Sequence, residues 1–133
     1  MMKMTRKGIA AERQLVNKFW QSNYAAIRVP ASGAGSKSVP KPDIVVGNGQ
    51  KYYAFEVKTT KLEKLYLRED EIDELVSFSD AFGSEPLVAV RFKTKTREWL
   101  FFEIHHLRRT TSGNYIIDYE EDFSKGLDFN SLL

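Results

Sequence analysis

The chain contains no cysteine, and only two of its 133 residues are histidine. Neither a disulfide framework nor a thiolate metal site can be built from it. The histidines are adjacent, His105-His106, and two neighbouring ligands cannot complete a zinc site unaided. Long apolar runs are missing too. None approaches the roughly 18–20 residues that a membrane span needs, so no membrane partner is expected. Met1 to Lys7 carries basic residues with no apolar stretch behind them. Nothing there points to export, and a cytoplasmic location is the expectation. Charge of one sign is not in excess either: twenty Lys and Arg face eighteen Asp and Glu, a net +2. That balance permits nucleic-acid binding only where the charges segregate on the surface. Acids drawn into a metal site would leave the outer surface more basic than the sum implies.

What is present fits one domain, residues 1–133, long enough to bury a core without covalent staples. There is no internal repeat and no low-complexity block. Apolar residues at Ile9, Leu15, Val16, Phe19 and Trp20 recur at helical spacing and predict a helix over about 8–22. Tyr24 to Val29 reads as a short strand. Residues 30–42, rich in Ser, Gly, Lys and Pro, read as a flexible loop. Asp43 to Val46, the turn Gly47-Asn48-Gly49 and Tyr52 to Lys58 predict a β-hairpin. A charged stretch leads into a second helix, about 69–82, with Asp70 and Glu71 at the positive end of its dipole and Gly83 as its stop. Strands are predicted at 86–92 and 98–103, joined by the basic turn Lys93 to Arg97, and a late strand at 115–118. The tail, 119–133, has no clear assignment. The order α-β-β-β-α-β-β implies a mixed α/β sheet with helices against it.

Three features break this ordinary pattern. On a wheel of about 100° per residue with Ile9 at zero, the apolar stripe of the first helix runs from roughly 240° to 20°. Glu12 falls near 300°, inside the stripe. A carboxylate there costs several kcal/mol unless something satisfies it. Either it pairs with an arginine such as Arg13 or Arg28, or it is aimed at a metal or catalytic centre. The second feature is Glu56-Val57-Lys58. Strand alternation puts Glu56 and Lys58 on one face, which by itself most often means a solvated, cross-charged face. The third is Pro42-Asp43, ordinary turn chemistry on its own. The hairpin, however, brings Asp43 alongside Glu56 and Lys58. Two converging carboxylates make a hard-oxygen site suited to Mg²⁺ or Mn²⁺. A lysine beside such an ion can orient a water for in-line attack on a phosphate.

Pro-Asp, a gap of twelve residues and Glu-x-Lys together resemble the signature of the PD-(D/E)XK nuclease superfamily. The chain as a whole resembles the archaeal Holliday junction resolvases. The resemblance runs through Arg6-Lys7-Gly8 with Glu12-Arg13, Ala25 to Gly33, Pro42-Asp43-Ile44-Val45, Phe55-Glu56-Val57-Lys58, Leu65-Tyr66-Leu67 and Leu107 to Tyr115. It implies a restriction-endonuclease-like core with a mixed five-stranded sheet flanked by helices. It implies a homodimer that makes paired symmetric nicks in four-way DNA junctions, with Mg²⁺ as cofactor and Mn²⁺ as a substitute. By position, Asp43, Glu56 and the Val57 carbonyl would hold the metal, Lys58 would place the water, and Glu12 would complete the metal shell. Ser32 matches a serine that supports catalysis from the loop before Pro-Asp.

Two symmetric cuts call for a C₂ dimer. The second helix offers a face in Ile72, Leu75, Val76, Ser79 and Phe82, widened by Phe78 to about 160°. Phe78 and Phe82 are the candidate interface residues. A broad phosphate-contacting surface would draw on Lys3, Arg6, Lys7, Arg13, Arg28, Ser32, Lys37, Lys41, Lys61 and Lys64. Arg108 and Arg109 either join that surface or pair with Glu120, Glu121 or Asp122. The terminal residues lack the paired aromatics of a clamp-binding peptide, so a sliding clamp or helicase stays an open partner with no clear C-terminal motif to support it. Three other readings remain: a restriction or repair nuclease of the same superfamily, a non-catalytic junction-binding homologue, and a pure interaction module, which leaves Glu12 unexplained.

Overall fold

A computed structural model describes residues 6–30 and 39–133. In chain order the elements are α1 (Arg6–Trp20), β1 (Ala25–Arg28), β2 (Ile44–Gly47), β3 (Tyr52–Thr60), β4 (Lys64–Leu67), α2 (Glu69–Phe82), β5 (Glu85–Phe92), β6 (Leu100–Glu103), β7 (Arg108–Arg109), β8 (Tyr115–Asp118), α3 (Tyr119–Asp122) and α4 (Phe129–Leu132). Five strands form one sheet in the order β1-β2-β3-β5-β6. The β3–β5 pair is parallel and the others are antiparallel, so the sheet is mixed, as expected. A second sheet, β4-β8-β7, has three strands.

Strand alternation sorts the core onto the two faces of the main sheet. Phe55, Leu87, Ala89 and Phe101 face α1, whose Leu15 and Phe19 are fully buried against them. Val88, Val90 and Phe102 face the other way, against Ile72 of α2 and Leu67 and Ile117 of the second sheet. β3 and β5 are therefore covered on both sides, which explains their near-continuous apolar runs. The β2–β3 turn is closed by the Asn48 side chain, which accepts the Gln50 and Lys51 amides at 2.8 and 2.7 Å. α2 stops at Gly83, whose φ of 90° only glycine adopts without strain.

Several expectations need correction. The charged stretch before α2 contains a strand, β4, which pairs with β8 about fifty residues downstream. Trp20 was expected on the inner stripe of α1, yet it is exposed. It lies at the helix end, where its Nε1 donates to the Ala26 carbonyl at 2.8 Å. The unassigned tail forms α3 and α4. Phe129 and Leu132 of the latter enter the α1-side core, and the Tyr24 and Tyr53 hydroxyls both donate to the Leu132 carbonyl. Among the described residues, no helix is long and apolar enough to cross a membrane.

Candidate active site

β2 and β3 pair only as far as Ile44 opposite Phe55. Beyond that level β3 continues beside β5, from Glu56 opposite Val88 to Thr60 opposite Phe92, and its other edge opens into a notch. Asp43 sits where the two strands part. Its amide donates to the Phe55 carbonyl at 2.8 Å, and its own carbonyl accepts the Val29 amide at 2.9 Å. Its side chain fills the place of the missing strand: Oδ2 accepts the Val57 amide at 2.8 Å. Because the N–H and C=O of a strand residue share one edge, the Val57 carbonyl is turned toward the same notch.

Gly8, Glu12, Asp43, Glu56, Val57, Lys58 and Thr59 line a cavity of about 260 Å³. The misplaced glutamate of α1 and the hairpin carboxylates thus meet. Glu12, 5% exposed, is also paired with Arg28, Nε to Oε1 at 2.9 Å. Glu12 thus has the arginine partner that one sequence alternative called for, and it lines the same cavity as Asp43 and Glu56. Burial raises its pKa, the Arg28 hydrogen bond opposes the shift, and the nearby Asp43 charge adds to it.

Asp43 and Glu56 both resist ionisation. Burial raises the Asp43 pKa, against the pull of the Val57 amide. Glu56, 9% exposed, is pushed well above the ordinary carboxylate value, first by burial and then by the Asp43 charge, with only partial relief from Lys58. The buried Glu56, whose ionised form the Asp43 charge disfavours, and the half-buried Asp43 beside an inward-facing carbonyl form the donor set that a hard divalent cation satisfies. Such an ion would fit there by supplying the missing positive charge. Lys58 lies on the α2 side. Its Nζ is 2.7 Å from Glu71 Oε2 and 3.8 Å from Glu56 Oε2. Burial acts to lower its pKa, yet the Glu71 hydrogen bond and the surrounding carboxylates raise it, so it stands as an ammonium. Burial likewise acts to raise the Glu71 pKa, but the Lys58 hydrogen bond and the Arg68 amide prevail and lower it.

The expected basic surface is only partly gathered. Arg13, Lys61 and Lys64 are exposed, Lys41 is half-buried, and Arg28 is committed to Glu12. Lys3, Ser32 and Lys37 lie outside the described residues, as do the side chains of Arg6 and Lys7. Sequence reasoning missed Arg91 and Lys93. With Lys61, Thr59 and Gln14 they line an open hollow of about 440 Å³ that shares Thr59 with the notch. Arg91 donates to the Gln14 side chain and lies 5.5 Å from the Trp99 ring. A charged residue inside the apolar strand 86–92 was the available signal, the same misfit that exposed Glu12. Arg108 and Arg109 resolve as ion pairs. Arg108 forks onto Asp122 at 3.0 Å through two nitrogens, and Arg109 pairs with Glu69 of α2 at 2.8 Å rather than with the tail. Glu103 joins His105 and His106 in a second group of ligating atoms within 4.8 Å of one another. It lies on and after β6, across β5 from the notch.

Phe78 and Phe82 stack at 5.1 Å between ring centroids. Phe82 is 53% exposed, and with Ile27, 62% exposed, and Tyr52 it borders an apolar hollow of about 320 Å³ beside Val45.

Comparisons with known proteins find similar sequences and a similar fold. The family model for archaeal Holliday junction resolvases (Hjc) matches residues 3–133. The crossover junction endodeoxyribonuclease Hjc of Archaeoglobus fulgidus is 43% identical over 125 residues, 94% of this chain and 88% of the relative. The Hjc of Methanocaldococcus jannaschii is 36% identical over 113 residues, 85% of this chain and 77% of the relative. A solved structure of Archaeoglobus fulgidus Hjc, described as a Holliday junction resolvase, superposes with a TM-score of 0.83 at 40% identity, covering 93% of this chain and 98% of that one.

Proposed function

The chain belongs to the archaeal Holliday junction resolvase family, and from that premise we infer that it is an endonuclease resolving four-way DNA junctions. Its mixed five-stranded sheet with flanking helices is the restriction-endonuclease-like fold of that family. The observation that carries the reading is the convergence of Asp43, Glu56 and Lys58 at the β2–β3 fork, with Glu12 reaching the same cavity from α1.

Asp43, Glu56 and the Val57 carbonyl are the groups that would hold a divalent ion, Mg²⁺ in this reading and Mn²⁺ as a substitute. Such an ion supplies Lewis-acid stabilisation of the developing phosphorane charge and lowers the pKa of the attacking water. Lys58, an ammonium beside that position, orients the water for in-line attack and offsets negative charge on the phosphate. Glu12 closes the α1 side of the notch, held in orientation by Arg28. Ser32, which precedes Pro42-Asp43 in the sequence, is the serine that the family resemblance assigns to support of catalysis. Phosphates flanking the cut lie along Lys61, Arg91 and Lys93, with the exposed Arg13 and Lys64 and the half-buried Lys41 as further contacts; Lys3, Arg6, Lys7 and Lys37 are candidates from the sequence alone. Such contacts read the shape of the junction rather than base sequence.

A junction presents two scissile strands related by a two-fold axis, and a C₂ dimer presents two matching sites. The apolar hollow at Ile27, Tyr52 and Phe82, with Phe78 behind Phe82, is the face on which a second copy docks.

The test is cleavage of a synthetic four-way junction with Mg²⁺, beside a duplex of the same arm sequences. Paired symmetric nicks confined to the junction support the reading. Equal cutting of the duplex makes this another nuclease of the superfamily. Tight junction binding without cutting makes it a non-catalytic homologue.

A further inference from the structure

Glu71 is a residue that the proposed cleavage chemistry does not use, yet both of its carboxylate oxygens are engaged at the edge of the notch. Oε1 accepts the Arg68 amide at 3.0 Å, which fixes the side chain to the first turn of α2. Oε2 accepts Lys58 Nζ at 2.7 Å. The same Nζ lies 3.8 Å from Glu56 Oε2, an ion-pair distance but too long for a hydrogen bond. The lysine is therefore drawn toward the helix and away from the Asp43–Glu56 pair.

This matters because an ammonium and a divalent cation compete for the same carboxylate oxygens. Lys58 has a flexible four-carbon stem and three rotatable donors. Without a partner on the far side, its nearest strong acceptors are Glu56 and Asp43, and it would settle on them. Resting on the reading of this notch as the cleavage site, we propose that Glu71 is a positioning residue that holds the Lys58 ammonium off the Asp43–Glu56 pair, keeping that pair free for a divalent cation. Glu71 touches neither DNA nor the ion in this account. It acts through Lys58, and its own geometry is set by the start of α2.

A double-mutant cycle on the metal-binding step tests this, because residues in direct contact reveal themselves by non-additivity. Mn²⁺ affinity is measured by isothermal titration of the DNA-free protein for wild type, Glu71→Ala, Lys58→Ala and the double variant. Glu71→Ala alone weakens Mn²⁺ binding by about tenfold, within the usual span for contacting pairs. With Lys58 also removed, the same change costs less than about threefold, since no ammonium remains to occupy the pair. Glu71→Gln, whose single amide oxygen can still accept from Lys58 in place of Oε2, recovers part of the loss. Junction affinity in Ca²⁺ changes little in Glu71→Ala and Glu71→Gln, because Glu71 touches no phosphate in this reading. Wild-type Mn²⁺ binding in Glu71→Ala overturns the proposal. So does an equal loss with and without Lys58, which a long-range charge effect or a merely structural role predicts. Because this measurement contains no DNA, it stands apart from the junction reading, which fails only if the wild type does not cut junctions.

Discussion

Replacing Glu56 by glutamine is predicted to stabilise the metal-free protein while abolishing cleavage. Glu56 is buried beside Asp43, and its pKa is raised well above the usual value, first by burial and then by the Asp43 charge. At neutral pH without metal, the folded state therefore carries a carboxylate it would rather protonate. Glutamine keeps the shape and donates a hydrogen bond to Asp43 without charge. Relief of a buried, poorly compensated carboxylate at a functional site contributes about 1–3 kcal/mol. At roughly 3–5 °C per kcal/mol for a chain of this size, the melting temperature should rise by about 3–15 °C. The pH dependence has a definite sign. Below the unfolded value of 4.5 the carboxyl is protonated in both states, and the two proteins should melt together. As pH rises from there through the folded pKa, the native state binds more protons than the unfolded one, so wild-type stability falls relative to the variant. Calorimetry in EDTA from pH 4 to 8 measures the difference. Millimolar Mg²⁺ should then raise the wild-type melting temperature and leave the variant nearly unmoved, because a ligand stabilises only the state that binds it. A Glu56→Gln protein less stable than wild type at pH 7 without metal would refute the picture of a strained carboxylate pair.

Three further outcomes follow from the same geometry. Phe82→Asp, on an exposed position of the apolar hollow, should convert a dimer to a monomer in sedimentation velocity while leaving the far-UV spectrum intact; an unchanged dimer would move the interface elsewhere. Junction affinity should fall steeply with salt, by about 0.9 log unit per log unit of salt for each phosphate neutralised, and Lys93→Gln should lower that slope by about one. Asp122→Asn breaks the buried end of the Arg108 fork, where Asp122 is 3% exposed and also accepts the Asp118 amide at 2.7 Å. After discounting for the half-open Arg108, it should cost about 2–3 kcal/mol and lower the melting temperature by roughly 6–15 °C.

The site was legible where local periodicity exposes a misfit. Glu12 stands out because a helix wheel places it among Leu15, Val16 and Phe19. Asp43 and Glu56 come together because a two-strand hairpin has only one register that keeps Phe55 and Ile44 inside. What sequence reading missed depends on contacts that the chain makes at a distance. β4 looks like a charged linker because its partner, β8, lies about fifty residues further on, and Lys64 and Tyr66 face solvent. Glu71 reads as a simple helix-dipole residue until the β3–α2–β5 crossover lays α2 over Lys58. Arg109 reads from the sequence as either a DNA contact or a partner of the acidic tail, but strand β7 carries it to Glu69 instead. The role of Trp20 followed from the end of α1, where the helical stripe no longer faces a covered strand.

The central claim is that the notch between β2 and β3 is the metal centre of a junction-cleaving enzyme. Anomalous diffraction from crystals of the protein with a four-way junction and Mn²⁺ tests it most directly. The account predicts a peak within about 2.0–2.4 Å of carboxylate oxygens from Asp43 and Glu56 and of the Val57 carbonyl, next to the scissile phosphate. A notch without a peak, with Mn²⁺ instead on Glu103, His105 and His106, would contradict it.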